Sequence, residues 1–122
     1  MANLTEVTKD NFNDVVTDNE FVVLDFWAAW CGPCRAFAPV FEAASGEKGN
    51  EGVAFGKIDT EAQPELAATF NIMSIPTLMI IRDKTIVYAQ PGALNKEQFA
   101  DLLDKAKELD MDKVRQEAEQ AT

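Results

Sequence analysis

The sequence predicts an α/β layer fold, with helices on both faces of a mixed β-sheet. Three observations carry this. Runs rich in β-branched and aromatic residues alternate along the chain with apolar stripes at helical spacing. One run, FVVLDFW from Phe21 to Trp27, is apolar at all but one position, the pattern of a strand buried on both faces. The pattern then closes on a hairpin followed by a helix. The 122 residues suit one domain, and a 47% hydrophobic content with eight Phe and two Trp can supply its core.

Leu4 to Thr8 reads as a short first strand. Thr8 is a candidate cap for a helix that buries Phe12, Val15 and Val16, spaced i, i+3, i+4. The strand Phe21 to Trp27 follows. After Cys31, Pro33 suits the first turn of a helix, where its missing N–H costs nothing. Phe37, Val40, Phe41 and Ala44 continue that helix at i, i+3, i+4, i+7. Pro39 lies inside it, removes one backbone hydrogen bond and crowds the preceding turn. A kink is expected there rather than a break and restart, because the stripe keeps its phase.

SGEKGNEG, residues 45 to 52, is a turn region, and Val53 to Ile58 reads as the next strand. Pro64 opens a short helix that Asn71 can close in a left-handed conformation. Thr77 to Ile81 and Thr85 to Ala89 read as an antiparallel hairpin. Asn95 caps the next helix, with Gln98 completing a capping box and Phe99, Leu102, Leu103 and Ala106 as the buried stripe. The stretch ELDMDKVRQEAEQAT carries two basic and five acidic residues and few large apolar ones. It reads as a partly helical, weakly packed tail. The expected organisation is therefore a domain over residues 1–108 and an acidic extension, helical or frayed, over residues 109–122.

Charge excludes several function classes. Against 11 Lys and Arg stand 21 Asp and Glu, a net charge of −10. Nucleic acid is a poor partner for such a chain, because phosphate binding needs basic patches. The apolar runs are far shorter than the ~20 residues of a membrane span, so no membrane association is expected. MANLTEVTKDNF has no basic start followed by an apolar stretch, which reads as no secretory signal and an expected cytoplasmic location. There is no His, so His-based acid–base catalysis and His metal ligation are excluded. Proton transfer must fall to Asp, Glu, Lys, Tyr or Cys.

The chain has two cysteines, Cys31 and Cys34, with Gly32 and Pro33 between them. A bridge closing so short a loop contributes little stability through chain entropy, so chemistry is the better reason for the pair. A thiolate is the attacking species in thiol chemistry, and an ordinary thiol with a pKa near ~8.5 is mostly protonated at pH 7. Lowering it to ~7 takes about 2 kcal/mol. A helix N-terminus supplies ~0.3–1 kcal/mol, and up to ~2 when partly buried. Pro33 near the helix start puts Cys31 at about the N-cap and Cys34 one turn in. Cys31 is thus the expected nucleophile and Cys34 the resolving thiol, with Arg35 and Lys57 as possible helpers. Half of a zinc or iron–sulfur site is the rival reading. It lacks the two further ligands such a site usually takes, so only a second chain or an external ligand could complete it.

The segment DFWAAWCGPC resembles the active-site segment of the thioredoxin family. Lys57-Ile58-Asp59 after a strand, Ser74-Ile75-Pro76-Thr77 before one, and Pro91-Gly92-Ala93-Leu94 ahead of the last helix match in order and spacing. The similarity spans roughly residues 4 to 108. It implies a thioredoxin fold, a central mixed sheet of about five strands with helices on both faces, and a cis bond between Ile75 and Pro76. It implies a shallow substrate groove formed by Trp30, Gly32, Pro33, Ile75, Pro76, Gly92 and Ala93. Beside it the backbone next to Pro76 would pair with an extended client segment. Read alone, Pro76 could equally be a strand-entry proline.

The resemblance also gives the acid inside the strand a role. A buried carboxylate without a partner is costly and its pKa rises. Asp25 could simply bond a backbone group or Lys57. By resemblance it is the proton acceptor for Cys34, tuned by Lys57, while Gly32 and Pro33 tune the redox pair. The implied activity is a protein-disulfide reductase, a thiol–disulfide oxidoreductase working through a redox-active Cys31–Cys34 disulfide, with no bound cofactor or metal. The implied partners are an NADPH-dependent thioredoxin reductase and disulfide-containing client proteins, and a monomer is expected. Two rivals remain: a disulfide oxidant or isomerase on the same fold, and a non-catalytic binding module. Departures from the family pattern sit at Met73 and Ser74, where many members have a basic residue and Gly, and in the turn RDKT. There Lys84 is ill-suited to positive φ, so the turn should change type or carry strain.

Overall fold

The computed structural model of the chain describes residues 3–120. Its elements run β1 (Leu4–Glu6), α1 (Phe12–Asp18), β2 (Phe21–Trp27), α2 (Gly32–Ser45), β3 (Ala54–Asp59), α3 (Pro64–Thr69), β4 (Thr77–Arg82), β5 (Thr85–Pro91), α4 (Lys96–Lys107) and α5 (Met111–Gln120). Strand β2 takes the middle of the sheet because both its faces are apolar. The five strands lie in the order β1-β3-β2-β4-β5. The β1–β3 and β3–β2 pairs are parallel, and β2–β4 and β4–β5 are antiparallel. This is the mixed five-stranded sheet, flanked by helices, that the resemblance implied.

Side chains alternate across a strand, so β2 feeds two cores. Phe21 and Val23 point into a layer with Phe37 and Phe41 of α2, Phe55 of β3, and Phe99 and Leu103 of α4. Val22, Leu24 and Phe26 point the other way, onto Val7, Ile58 and Leu66, with Phe12, Val15 and Val16 of α1 half-buried beside them. The first layer is an aromatic cluster. Phe37 and Phe99 lie 5.3 Å apart centroid to centroid, Phe41 and Phe55 5.4 Å, and Phe41 and Phe99 5.8 Å. Helix α2 runs unbroken from Gly32 to Ser45 with Pro39 inside it, so no restart occurs.

Several boundaries move. Strand β1 ends at Glu6 rather than Thr8, and α1 starts at Phe12. Thr8 does not cap it directly. The Thr8 backbone N–H donates to Asn11 Oδ1 at 2.7 Å and its hydroxyl accepts from the Asp10 N–H, so the polar side chains build a turn ahead of the helix. Strand β3 starts one residue later than expected. Asn71 is left-handed, with φ +54°, as its position after α3 required. The capping box of Asn95 and Gln98 is formed in both directions, with bonds of 2.8 and 3.0 Å.

The hairpin turn keeps the positive φ that its sequence disfavours. Asp83 has φ +50° and Lys84 φ +64°. A two-residue loop must match the right-handed twist of its strands, and that demand overrides the preference of Lys84. The turn is held from outside. The Asp83 N–H donates to the Glu20 carbonyl at 2.8 Å, and the Asp83 carboxylate accepts from Arg115 of α5 at 2.7 Å. Arg115 also pairs with Asp112, and Met111 is buried at the start of α5.

Gly56 of β3 faces the second core, where Val7 and Leu24 close over the backbone. A Cβ there would lie 2.6 Å from Val7 Cγ2 and 2.9 Å from Leu24 Cδ2. Gly56→Ala should therefore lower unfolding stability by ~1–3 kcal/mol. Urea unfolding checks this, and an unchanged midpoint would mean that Val7 and Leu24 repack freely.

Candidate active site

The end of β2 hands the chain to α2 in four residues, and this turn builds the site. The Cys31 N–H donates to the Ala28 carbonyl at 3.2 Å, which closes the turn. Cys31 then has an extended backbone, φ −87° and ψ 112°, and occupies the N-cap of α2. Its Sγ accepts the Cys34 backbone N–H at 3.2 Å. A sulfur thus takes one of the donors that a helix start leaves unpaired, and the helix dipole favours negative charge on it. Pro33 lies in the first turn, as expected. Cys31 and Cys34 are joined as a disulfide, with Cα atoms 5.2 Å apart. Both are buried, packed with Ala28 and against the half-buried Trp27 and Ile75.

The segment ahead of β4 comes up against the sulfurs. Cys31 Sγ is 3.7 Å from the Ile75 carbonyl oxygen, and the Ile75–Pro76 bond is cis. Pro76 is buried, and its carbonyl accepts the Gly92 N–H at 2.8 Å. Gly92 has φ +126°, a conformation that suits glycine, so the β5–α4 loop reaches Pro76 because residue 92 has no side chain. Ala93 next to it is exposed, as are Gly32 and Pro33. Trp30 is 67% exposed, its indole N–H donating to Glu61 at 2.6 Å. The structure thus brings Cys31, Cys34 and Ile75 into one packed cluster and ties Pro76 to Gly92.

Asp25 is fully buried, and neither carboxylate oxygen has a hydrogen-bond partner among the described residues. It lies on the same face of β2 as Phe21 and Val23, the face that α2 covers through Phe37 and Phe41. Cys34 stands one turn before Phe37 on that stripe, and α2 starts just beyond the end of β2. Cys34 itself packs in the small cluster with Ala28 and Cys31, where the first turn of α2 meets the end of β2. The parallel register sets Lys57 of β3 beside Asp25, with Nζ 3.9 Å from Oδ2. Lys57 also sits over the Trp27 ring, 4.9 Å from its centroid. Burial pushes the Asp25 pKa up from 3.8 to about 6, and the Lys57 charge only partly opposes it.

Sequence reasoning did not single out Glu61 or Trp27. Glu61 reaches Trp30 across 31 residues of chain, and no spacing rule could have joined them. Arg35, a suggested helper, donates to the Ala29 carbonyl at 2.8 Å and so braces the turn. Among the described residues, no group of three or more His, Cys, Asp and Glu could hold a metal ion. No helix among them is long and apolar enough to cross a membrane.

The Thioredoxin family profile matches residues 3–105. The chain belongs to the thioredoxin family. It is 56% identical over 115 residues to a putative thioredoxin 2 of Streptomyces coelicolor, covering 94% of this chain and 84% of that one. It is 39% identical over 102 residues to a thioredoxin of Staphylococcus haemolyticus, covering 84% and 96%. A solved mutant thioredoxin from Halobacterium salinarum superposes with a TM-score of 0.78 at 31% identity, over 87% of this chain and 92% of that one. Thioredoxin from Plasmodium falciparum gives 0.75 at 33% identity, over 83% and 97%. With the family goes its activity: the chain is a thiol–disulfide oxidoreductase that reduces disulfides through Cys31 and Cys34.

The buried acid gives this thioredoxin-family fold a pH-dependent stability. Its folded pKa lies above its unfolded value, so the charged form is the one folding penalises. The penalty is absent below about pH 3.8, grows between there and about 6, and is full above. A rise from 3.8 to about 6 corresponds to ~3 kcal/mol at ~1.36 kcal/mol per tenfold change. Asp25→Asn should be more stable than the parent at pH 7 by up to ~3 kcal/mol, with the gap closing towards pH 4. Denaturant midpoints from pH 4 to 8 check this, and a gap that widens on acidification would reverse the sign.

Proposed function

We propose that Cys31 is the nucleophile, Cys34 the resolving thiol and Asp25 the proton acceptor of a general protein-disulfide reductase. The observation that supports this is a sulfur-capped helix start next to a strand that carries a buried acid. Cys31 Sγ accepts the Cys34 N–H at the start of α2, and Asp25 of β2 is fully buried, its oxygens without a hydrogen-bond partner among the described residues. In the reduced protein the Cys31 thiolate attacks one sulfur of a client disulfide, and the other client sulfur leaves as a thiolate. The result is a mixed disulfide. Asp25 takes the Cys34 proton, with Lys57 tuning its basicity. The Cys34 thiolate then attacks Cys31 Sγ, the second client sulfur leaves, and the Cys31–Cys34 disulfide closes. Two electrons have passed to the client. A carboxyl with a pKa of about 6 suits this transfer near neutral pH.

The client would lie in the groove of Trp30, Gly32, Pro33, Ile75, Pro76, Gly92 and Ala93, pairing with the backbone beside Pro76. Gly32 and Pro33, between the cysteines, tune the potential. A flavin-containing, NADPH-dependent thioredoxin reductase, the family's usual partner, would return the pair to the dithiol in the cytoplasm. The protein needs no bound cofactor of its own and works as a monomer. Residues 1–108 form the redox domain, and residues 109–122 are an extension outside its chemistry.

Titration against dithiothreitol buffers, read by Trp27 and Trp30 fluorescence, should give a midpoint near ~−270 mV, the value known for thioredoxins. A midpoint between ~−120 and ~−180 mV would instead mark an oxidant or isomerase. Cys31→Ser should abolish client reduction, and activity surviving it would favour a pure binding module. Cys34→Ser should trap the client as a mixed disulfide. Asp25→Asn should slow resolution on the order of 10²-fold at pH 7 while leaving the fold intact. Full activity of that variant between pH 6 and 8 would remove Asp25 from the mechanism.

A further inference from the structure

Met73 is 83% exposed and Trp30 67%, the two most exposed large apolar side chains among the described residues. Both belong to chain segments that meet at Cys31. Trp30 precedes Cys31, and Met73 is two residues from Ile75, whose carbonyl oxygen lies 3.7 Å from Cys31 Sγ. Such exposure is not the product of a loose loop. On one side of Met73, Ile72 packs into the second core, and its N–H donates to the Ala67 carbonyl at 2.9 Å. On the other side, the Ser74 carbonyl accepts the Thr77 hydroxyl. The chain is pinned before and after Met73, so the thioether is held out in water.

Next to it lies a hollow of about 230 Å³, walled by the Phe70–Ser74 segment and by Ala89 and Pro91 of β5. An exposed, unbranched thioether beside an open hollow can rearrange around different apolar groups and gain by covering them. No charged residue occurs between Asn71 and Leu78, so an acidic client residue would find no counter-charge there. The chain's net charge of −10 disfavours it further.

We infer that Met73 and this hollow form a specificity subsite for a bulky apolar side chain of the client. That side chain lies two residues from the attacked cysteine. The offset follows from strand geometry. A client segment extended along Met73 to Ile75 alternates its side chains, so a residue two away from the one at Cys31 falls at Met73. The inference rests on the groove reading proposed above.

The test uses the full chain, reduced and freed of reductant, in single turnovers with peptides that each carry one internal disulfide. The peptides differ only at the positions two residues either side of the cysteine attacked, which carry Leu, Gly or Glu. The second-order rate constant should be about tenfold higher for Leu than for Gly, equivalent to ~1.4 kcal/mol, and lowest for Glu. Met73→Ser should reduce the Leu-to-Gly ratio to below about twofold, and Met73→Leu should restore it. An unchanged ratio in Met73→Ser, or no preference in the parent, overturns the subsite if Ellman's reagent is still reduced through Cys31. A parent chain that cannot reduce Ellman's reagent overturns the reductase reading and the subsite with it.

Discussion

Four phenylalanines meet ring to ring over the centre of the sheet: Phe37 and Phe41 from α2, Phe55 from β3 and Phe99 from α4. The redox centre inherits its position from that contact. Buried aromatic pairs contribute ~0.5–1.5 kcal/mol each beyond the area they cover. They also fix rotation, because α2 cannot turn about its axis without unseating Phe37 and Phe41. With that rotation set, Cys34 is buried against Cys31 and Ala28, Cys31 falls at the N-cap, and Gly32 and Pro33 face solvent. Pro39 removes one backbone bond from this helix and does not interrupt it, because the aromatic stripe spans residues on either side of the gap. The precision of the sulfurs is thus a property of packing some distance away from them.

The same face of β2 holds a group whose burial opposes folding. Val23 and Asp25 are neighbours on one face of β2, and an apolar residue at position 25 would continue the core without interruption. A carboxylate there costs desolvation that Lys57, at 3.9 Å, only partly offsets. A closer pairing would stabilise the charge, lower the pKa and weaken the base. Burial lifts the carboxyl to about 6, and the long contact with Lys57 only partly lowers it. Stability and basicity therefore move in opposite directions.

Much of this was legible in the chain itself. The strand Phe21–Trp27, the cap at Cys31, the left-handed Asn71 and the Asn95–Gln98 box each follow from residues next to one another in sequence, and each is found. What failed was also local. Thr8 and Asn11 are both competent caps, and the turn bond from the Thr8 N–H to Asn11 Oδ1 moved the start of α1 three residues on. The hairpin defied its own residues because strand twist outweighs the ~1–2 kcal/mol that a left-handed Lys84 costs. At the site, the cysteines and Asp25 stood out as chemistry in the wrong place. Glu61 on Trp30 did not, since a contact between two loops leaves no periodic trace. Nor does the sequence show that Met73 points outward, which depends on how Ile72 and Ser74 are held.

The strain and the tail gather at the pole of the sheet away from the sulfurs. Asp83 hydrogen-bonds Glu20, the residue before β2, whereas Cys31 lies beyond its other end. The seven residues of β2 separate these poles by ~20 Å at ~3.3 Å per residue. Helix α5 reaches that far pole, where Arg115 holds Asp83, and Met111 is buried at its start. An ion pair this exposed is largely screened by solvent, and it ties down a turn that its residues disfavour. Through Arg115, α5 braces the hairpin turn at the end of the sheet opposite the one where the first turn of α2 meets the end of β2.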